Sequence, residues 1–163
     1  MSILTEHYRG LARYNRWMNE KLYAVAAGLS DEERRRDLRA FFRSVHGTLN
    51  HILLGDRIWL GRFGGPAFTA PLDDELYADF ETLRAERART DGDIEAWVET
   101  LDDAKLAGPC RYSRKGVEME HALWFAALHM FNHQTHHRGQ TTTLLMQLGV
   151  DPGVTDLIAL LRK

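Results

Sequence analysis

The chain reads as an all-α protein, a four-helix bundle with short connecting helices. Two observations predict this class. Four long segments carry apolar residues at helical spacing, and no stretch alternates convincingly as a strand. At 163 residues the chain can bury a sizeable core, and residues 1–163 are read as a single domain because no repeat, low-complexity tract or linker divides them.

The first segment, LTEHYRGLARYNRWMNEKLYAVAAGL, places Leu4, Tyr8, Leu11, Trp17, Leu22 and Val25 at roughly the helical period and stops at a glycine. Ser30 with Glu33 three residues on is a capping-box pattern for a short helix. A second long helix is expected from Arg43 to Phe63, ending in the loop GGPAFTAP. A third is expected from Asp73 or Asp74 to Leu101, with a charged middle that Gly92 weakens without ending. AGPCRYSRKGVEME is too turn-rich for a helix and suits an extended hairpin crossing the bundle. The fourth long helix is expected from Glu118 to Leu148, and VTDLIALLRK forms a short C-terminal helix.

Net charge is −2 with neutral histidine, which leaves no electrostatic footprint for nucleic acid or an anionic membrane. The basic run EERRR is diluted by Asp31, Glu32, Glu33 and Asp37 and reads as a solvated face. The first residues lack a signal peptide's basic start and apolar core, and no run reaches membrane-spanning length, so the expected address is the cytoplasm. One cysteine, Cys110, excludes an internal disulfide and a multi-thiolate metal site. With eight histidines beside it, any transition-metal site must use nitrogen and oxygen ligands.

NHQTHHRGQ concentrates three of those histidines, and His129 lies one turn upstream. Setting His129 at zero on a helix turning 100° per residue, His133 falls at about 40°, His137 at about 80° and His136 at about −20°. Ala126, Leu144, Met130, Leu148 and Leu123 centre the apolar stripe near 100°, so His137 lies inside it and His133 at its margin. In the second helix, His51 falls within the apolar arc from Leu54 to Leu53, whereas His46 begins the polar side with Arg43, Asn50 and Arg57. Residues four apart stack on one helix face, so His133 and His137 can converge on one ion, with His51 supplying a third ligand from a facing helix. His129 with His133 is a rival pair. No glutamate follows the first histidine as in a zincin, and no general base is on display. His7 and His121 sit near helix beginnings and read as exposed.

SVHGTLNHILLGDRIWL, followed much later by NHQTHHRGQ, resembles the DinB/YfiT-like superfamily of metal-dependent proteins, and the opening YNRWMNEKLY and closing GVTDLIALLRK extend the resemblance over nearly the whole chain. The resemblance implies a four-helix bundle whose three histidines, here His51, His133 and His137, hold nickel or zinc. It also implies relatives that are transferases and an isomerase using a low-molecular-weight thiol.

The expected function is therefore a metalloenzyme acting on a small-molecule substrate, by thiol transfer or metal-assisted hydrolysis. The alternative is a non-catalytic metal-binding, stress-related protein with the fourth ligand position closed by His136, Cys110 or Asp56, although Asp56 sits away from His51 and Cys110 reads as an ordinary loop thiol. A third class is an interaction module built on Trp124, Leu128 and Phe131, residues read here as homodimer packing or additional core. Tyr14, Asn15 and Asn19 could face the site but read as packing or capping residues.

Overall fold

A computed structural model describes residues 2–161. Its long helices are α1 (Ile3–Ala27), α3 (Val45–Arg62), α4 (Phe80–Glu99) and α6 (Leu123–Gln147), with short α2 (Asp31–Arg35) and α5 (Asp103–Ala107), a two-stranded hairpin of β1 (Pro109–Arg114) and β2 (Val117–Ala122), and a terminal 3-10 turn at Leu157–Leu161. Helix α1 packs mainly on α4 and α6, and α3 packs on the same two, so α1 and α3 stand diagonally across a four-helix bundle.

Every helix start except that of α6 is capped by a local side chain. The Ser2, Ser44, Asp79 and Asp102 side chains accept from Thr5, Gly47, Thr82 and Lys105 N–H, and Ser30 and Glu33 form the expected capping box. The hairpin turn is Lys115-Gly116, both at positive φ (51° and 78°), the geometry a two-residue antiparallel turn demands and glycine supplies without strain.

Two helix starts and two minor elements differ from the sequence reading. Helix α4 begins at Phe80 rather than at Asp73 or Asp74, because Asn50 and His46 of α3 bond the Tyr77 backbone and hold the preceding residues as a loop. Helix α6 begins at Leu123 rather than Glu118, because residues 117–122 pair with β1. His121 therefore lies on a strand, half-buried. Helix α5 has no counterpart in the expected elements. The expected C-terminal helix is a 3-10 turn, and its residues 162 and 163 lie outside the described residues.

The core falls into two apolar clusters. One gathers Met18, Leu22, Leu49, Leu53, Leu83 and Leu145; the other gathers Tyr8, Trp59, Ile94, Leu106, Met130 and Phe131. Between them, at mid-height on all four long helices, lies a belt of buried polar side chains: Asn15, Asn19, Asp56, Arg87, Asp91, Gln134 and Arg138. Phe131 is core, while Trp124, Phe125 and Leu128 keep exposed surface. Among the described residues no helix is long and apolar enough to cross a membrane.

Candidate metal centre

His51 comes from α3, and His133 and His137 from the facing turns of α6. One ring nitrogen from each lies within 4.8 Å of the others. The Nε2 atoms of His51 and His133 are 3.1 Å apart. Two nitrogens bound tetrahedrally to zinc at about 2.0 Å sit about 3.3 Å apart, so this pair already has ligand spacing.

The opposite ring nitrogens orient the rings. His51 Nδ1–H donates to the Leu72 carbonyl at 2.8 Å, and His137 Nδ1–H donates to Gln140 Oε1 at 2.8 Å, leaving each Nε2 as a lone pair. His133 differs: its Nδ1 is buried without a partner. Its ring lies against Gly55, where an added Cβ would stand 2.8 Å from His133 Cε1, so only glycine lets α3 and α6 bring this imidazole to the trio.

Burial holds the imidazoles neutral, the form that can bind a metal. It lowers the His51 pKa to about 4, against the Leu72 hydrogen bond and helped by His137. The His133 pKa falls to about 3 through burial and then the neighbouring histidines, and burial lowers that of His137 too. The structure holds these rings as an uncharged donor set, and the residues fit a nitrogen-ligated divalent ion.

The trio lines an open cleft of about 1080 Å³, whose walls include Phe41, Phe42, Arg43, Leu72, Asp74 and Glu75. Phe42 stacks on His51 with ring centroids 3.7 Å apart and meets His137 edge-on at 5.5 Å. It is carried by a tight turn in which Ala40 pairs with Arg43, and both Arg39 and Arg43 adopt left-handed backbone (φ 60° and 66°).

The remaining candidates lie outside the convergent set, with His136 on the wall of the same cleft. His129 is exposed, its ring 5.0 Å from Trp59 and 6.2 Å from His133, outside the convergent set. His136 is exposed and touches Gln140 Nε2 at 3.3 Å, and His7 is exposed. His46, expected on the polar side of α3, is fully buried, because the loop before α4 covers that side and the ring donates to the Tyr77 carbonyl. Asp56 bonds Arg87 and Gln134 in the polar belt, and Cys110 is a buried strand thiol whose Sγ–H reaches the Arg62 carbonyl at 3.8 Å. Tyr14 donates to the Thr155 carbonyl, and Asn15 and Asn19 both bond Asp91. Gln140, Gly55 and Phe42 were not picked out as site residues from sequence. Gln140 had a legible signal, an amide three residues beyond His137 on the same helix face; the other two contacts depend on how α3, α6 and the turn before α3 meet.

The family model described as DinB family matches residues 1–163. The chain belongs to the DinB family. It is 24% identical over 153 residues to Protein DinB of Bacillus subtilis (strain 168), covering 90% of this chain and 88% of that protein. The crystal structure of a DinB-like protein from Bacillus cereus ATCC 10987 superposes with a TM-score of 0.62 at 23% identity, covering 84% of this chain and 90% of that one, a likeness of fold.

Proposed function

We propose that this DinB-family chain is a metalloenzyme that holds one divalent ion, zinc or nickel, through His51, His133 and His137. Its small-molecule substrate enters the adjoining cleft and undergoes thiol transfer or hydrolysis. The observation that carries this reading is the convergence of three neutral imidazoles, two of them with Nδ1–H already anchored so that Nε2 faces the common point. When bound, the ion supplies Lewis acidity that favours a thiolate over a thiol or lowers the pKa of water.

The chain's own residues do the positioning. Leu72 and Gln140 fix ring orientation, Gly55 seats His133, and Phe42 keeps water from the exposed face of His51. Among the described residues no fourth histidine, cysteine or carboxylate joins the trio. Three protein ligands beside an open cleft favour a catalytic site over the non-catalytic alternative, in which a side chain closes the fourth position.

Metal content of protein purified without a histidine tag, followed by zinc and nickel titration of wild type and His51→Ala, tests the centre. One equivalent is expected for wild type, and an affinity loss of at least about 100-fold for the variant. A folded, metal-free protein that refuses both ions overturns the reading. Turnover of model electrophiles with low-molecular-weight thiols separates catalysis from storage or sensing.

A further inference from the structure

A second group of side chains lies where the end of α3 meets the hairpin. Arg62 closes α3, and its guanidinium carbon lies 4.4 Å from the Trp59 ring centre and 4.0 Å from that of Tyr112. Those two rings meet edge-on at 5.4 Å and form an angled bed. The planar cation is thus ordered by two aromatic contacts rather than by a carboxylate. None of its N–H groups is hydrogen-bonded within the described residues, and none is sealed from solvent.

The hairpin register explains why no acid reaches it. Pairs directly opposite in an antiparallel ladder share a face, and neighbours along a strand take opposite faces. Cys110–His121, Tyr112–Met119 and Arg114–Val117 therefore look toward Arg62, while Arg111–Glu120 and Ser113–Glu118 look away. Arg111 takes Glu120 on that far face at 2.5 Å. The strand period sorts both hairpin glutamates away from Arg114 and His121. From α6, His129 adds an imidazole 5.0 Å from Trp59, and His121 lies 5.9 Å from Tyr112. The charges acting on Arg62 and His129 include Arg114 and, for His129, also Arg62 and His121, but no carboxylate. Elsewhere on this acidic protein, Arg9, Arg16, Arg35 and Arg57 each face a glutamate.

We infer that Arg62, Arg114, His121 and His129 form a binding site for an oxyanion, the phosphate or carboxylate group of a small molecule, on the bed made by Trp59 and Tyr112. An ordered guanidinium with free donors and a second arginine supply charge-assisted hydrogen bonds to such a group, and each imidazole can add a ring N–H donor. The site starts one helical turn along α6 from His133 but does not depend on a metal there.

The test is a titration of isotope-labelled full-length protein with inorganic phosphate and, separately, acetate at fixed ionic strength, read by backbone and indole NMR shifts. A saturable response centred on Trp59, Arg62 and Tyr112 is expected with at least one ion; phosphate alone assigns a phosphoryl ligand and acetate alone a carboxylate. Arg62→Gln and Arg114→Gln should each weaken it about tenfold. Arg114 lies at an exposed strand end, so its variant keeps the test open if loss of the ring contacts disturbs α3. Arg111→Gln and His51→Ala should leave the response unchanged. Three outcomes overturn the site: no saturable response to either ion, equal weakening by Arg111→Gln, or loss of the response in His51→Ala, which would seat the anion at the trio.

Discussion

Two polar clusters lie inside the same bundle, and they are built on opposite principles. The belt between the apolar clusters pairs its charges. Arg87 contacts Asp56 at 2.6 Å and Asp91 at 2.9 Å, Asn15 and Asn19 donate to Asp91, and Gln134 donates to Asp56 at 2.8 Å. Arg138 donates to Asn15 and lies over the Tyr14 ring, although burial still lowers its pKa to about 10. The histidine trio brings together three like groups with no acid among them and opens to the cleft. A cluster that supplies its own counter-charges joins helices. One that turns a ring nitrogen of each of three neutral imidazoles toward a common point, with no acid among them, is arranged for something that arrives from outside.

If this contrast holds, damage to the belt should cost stability and damage to the trio should cost binding. Arg87→Met removes one member of a buried ion network and should destabilise the protein by about 3–5 kcal/mol in urea unfolding. At low denaturant its zinc affinity should stay near wild type, and a matching loss of affinity would merge the two regions.

Acid should act through the trio. The folded pKa values of His51 and His133, about 4 and 3, lie below the ordinary 6.5, so between those limits the unfolded chain holds more protons. The contribution of the two rings to the stability of the metal-free protein is then complete above pH 6.5 and falls as the pH drops toward 4. Thermal melts against pH should show this slope, and it should flatten in the His51→Ala/His133→Ala double variant.

Two smaller changes probe positioning. Gly55→Ala drives a methyl into the His133 ring and should weaken zinc binding about tenfold, measured by competition with a chelator. Gln140→Ala frees the His137 ring to take the other tautomer and should cost somewhat less, about fivefold, in the same assay. An unchanged affinity in Gln140→Ala would mean that α6 alone orients His137.

Much of the trio was legible because helical periodicity is local. His133 and His137 share a face four residues apart, and His51 lies in the apolar arc of its own helix. The same reasoning failed for His46, whose polar neighbours Asn50 and Arg57 marked a face as solvated when a loop covers it. It gave no sign of burial in the charged middle of α4, where Arg87 and Asp91 are enclosed. Arg87 and Asp91 pair with each other within α4, but the partners that complete the network, Asp56 on α3 and Asn15 and Asn19 on α1, lie outside any window along that helix.

From its own order of residues the chain set the four long helices, the Ser30–Glu33 capping box, the hairpin, and the shared inward direction of His51, His133 and His137, because these follow from spacing and from bonds a few residues long. Only the tertiary structure decided that His51 Nε2 meets His133 Nε2, that Gly55 seats a ring, that a charged belt divides the core, and that Arg62 lies on two aromatic rings. Those contacts join groups from 31 to 82 positions apart in the helix-to-helix bonds of the trio and the Asp56 pairs. The distances across such separations are set by helix packing and strand register, which only the assembled bundle defines.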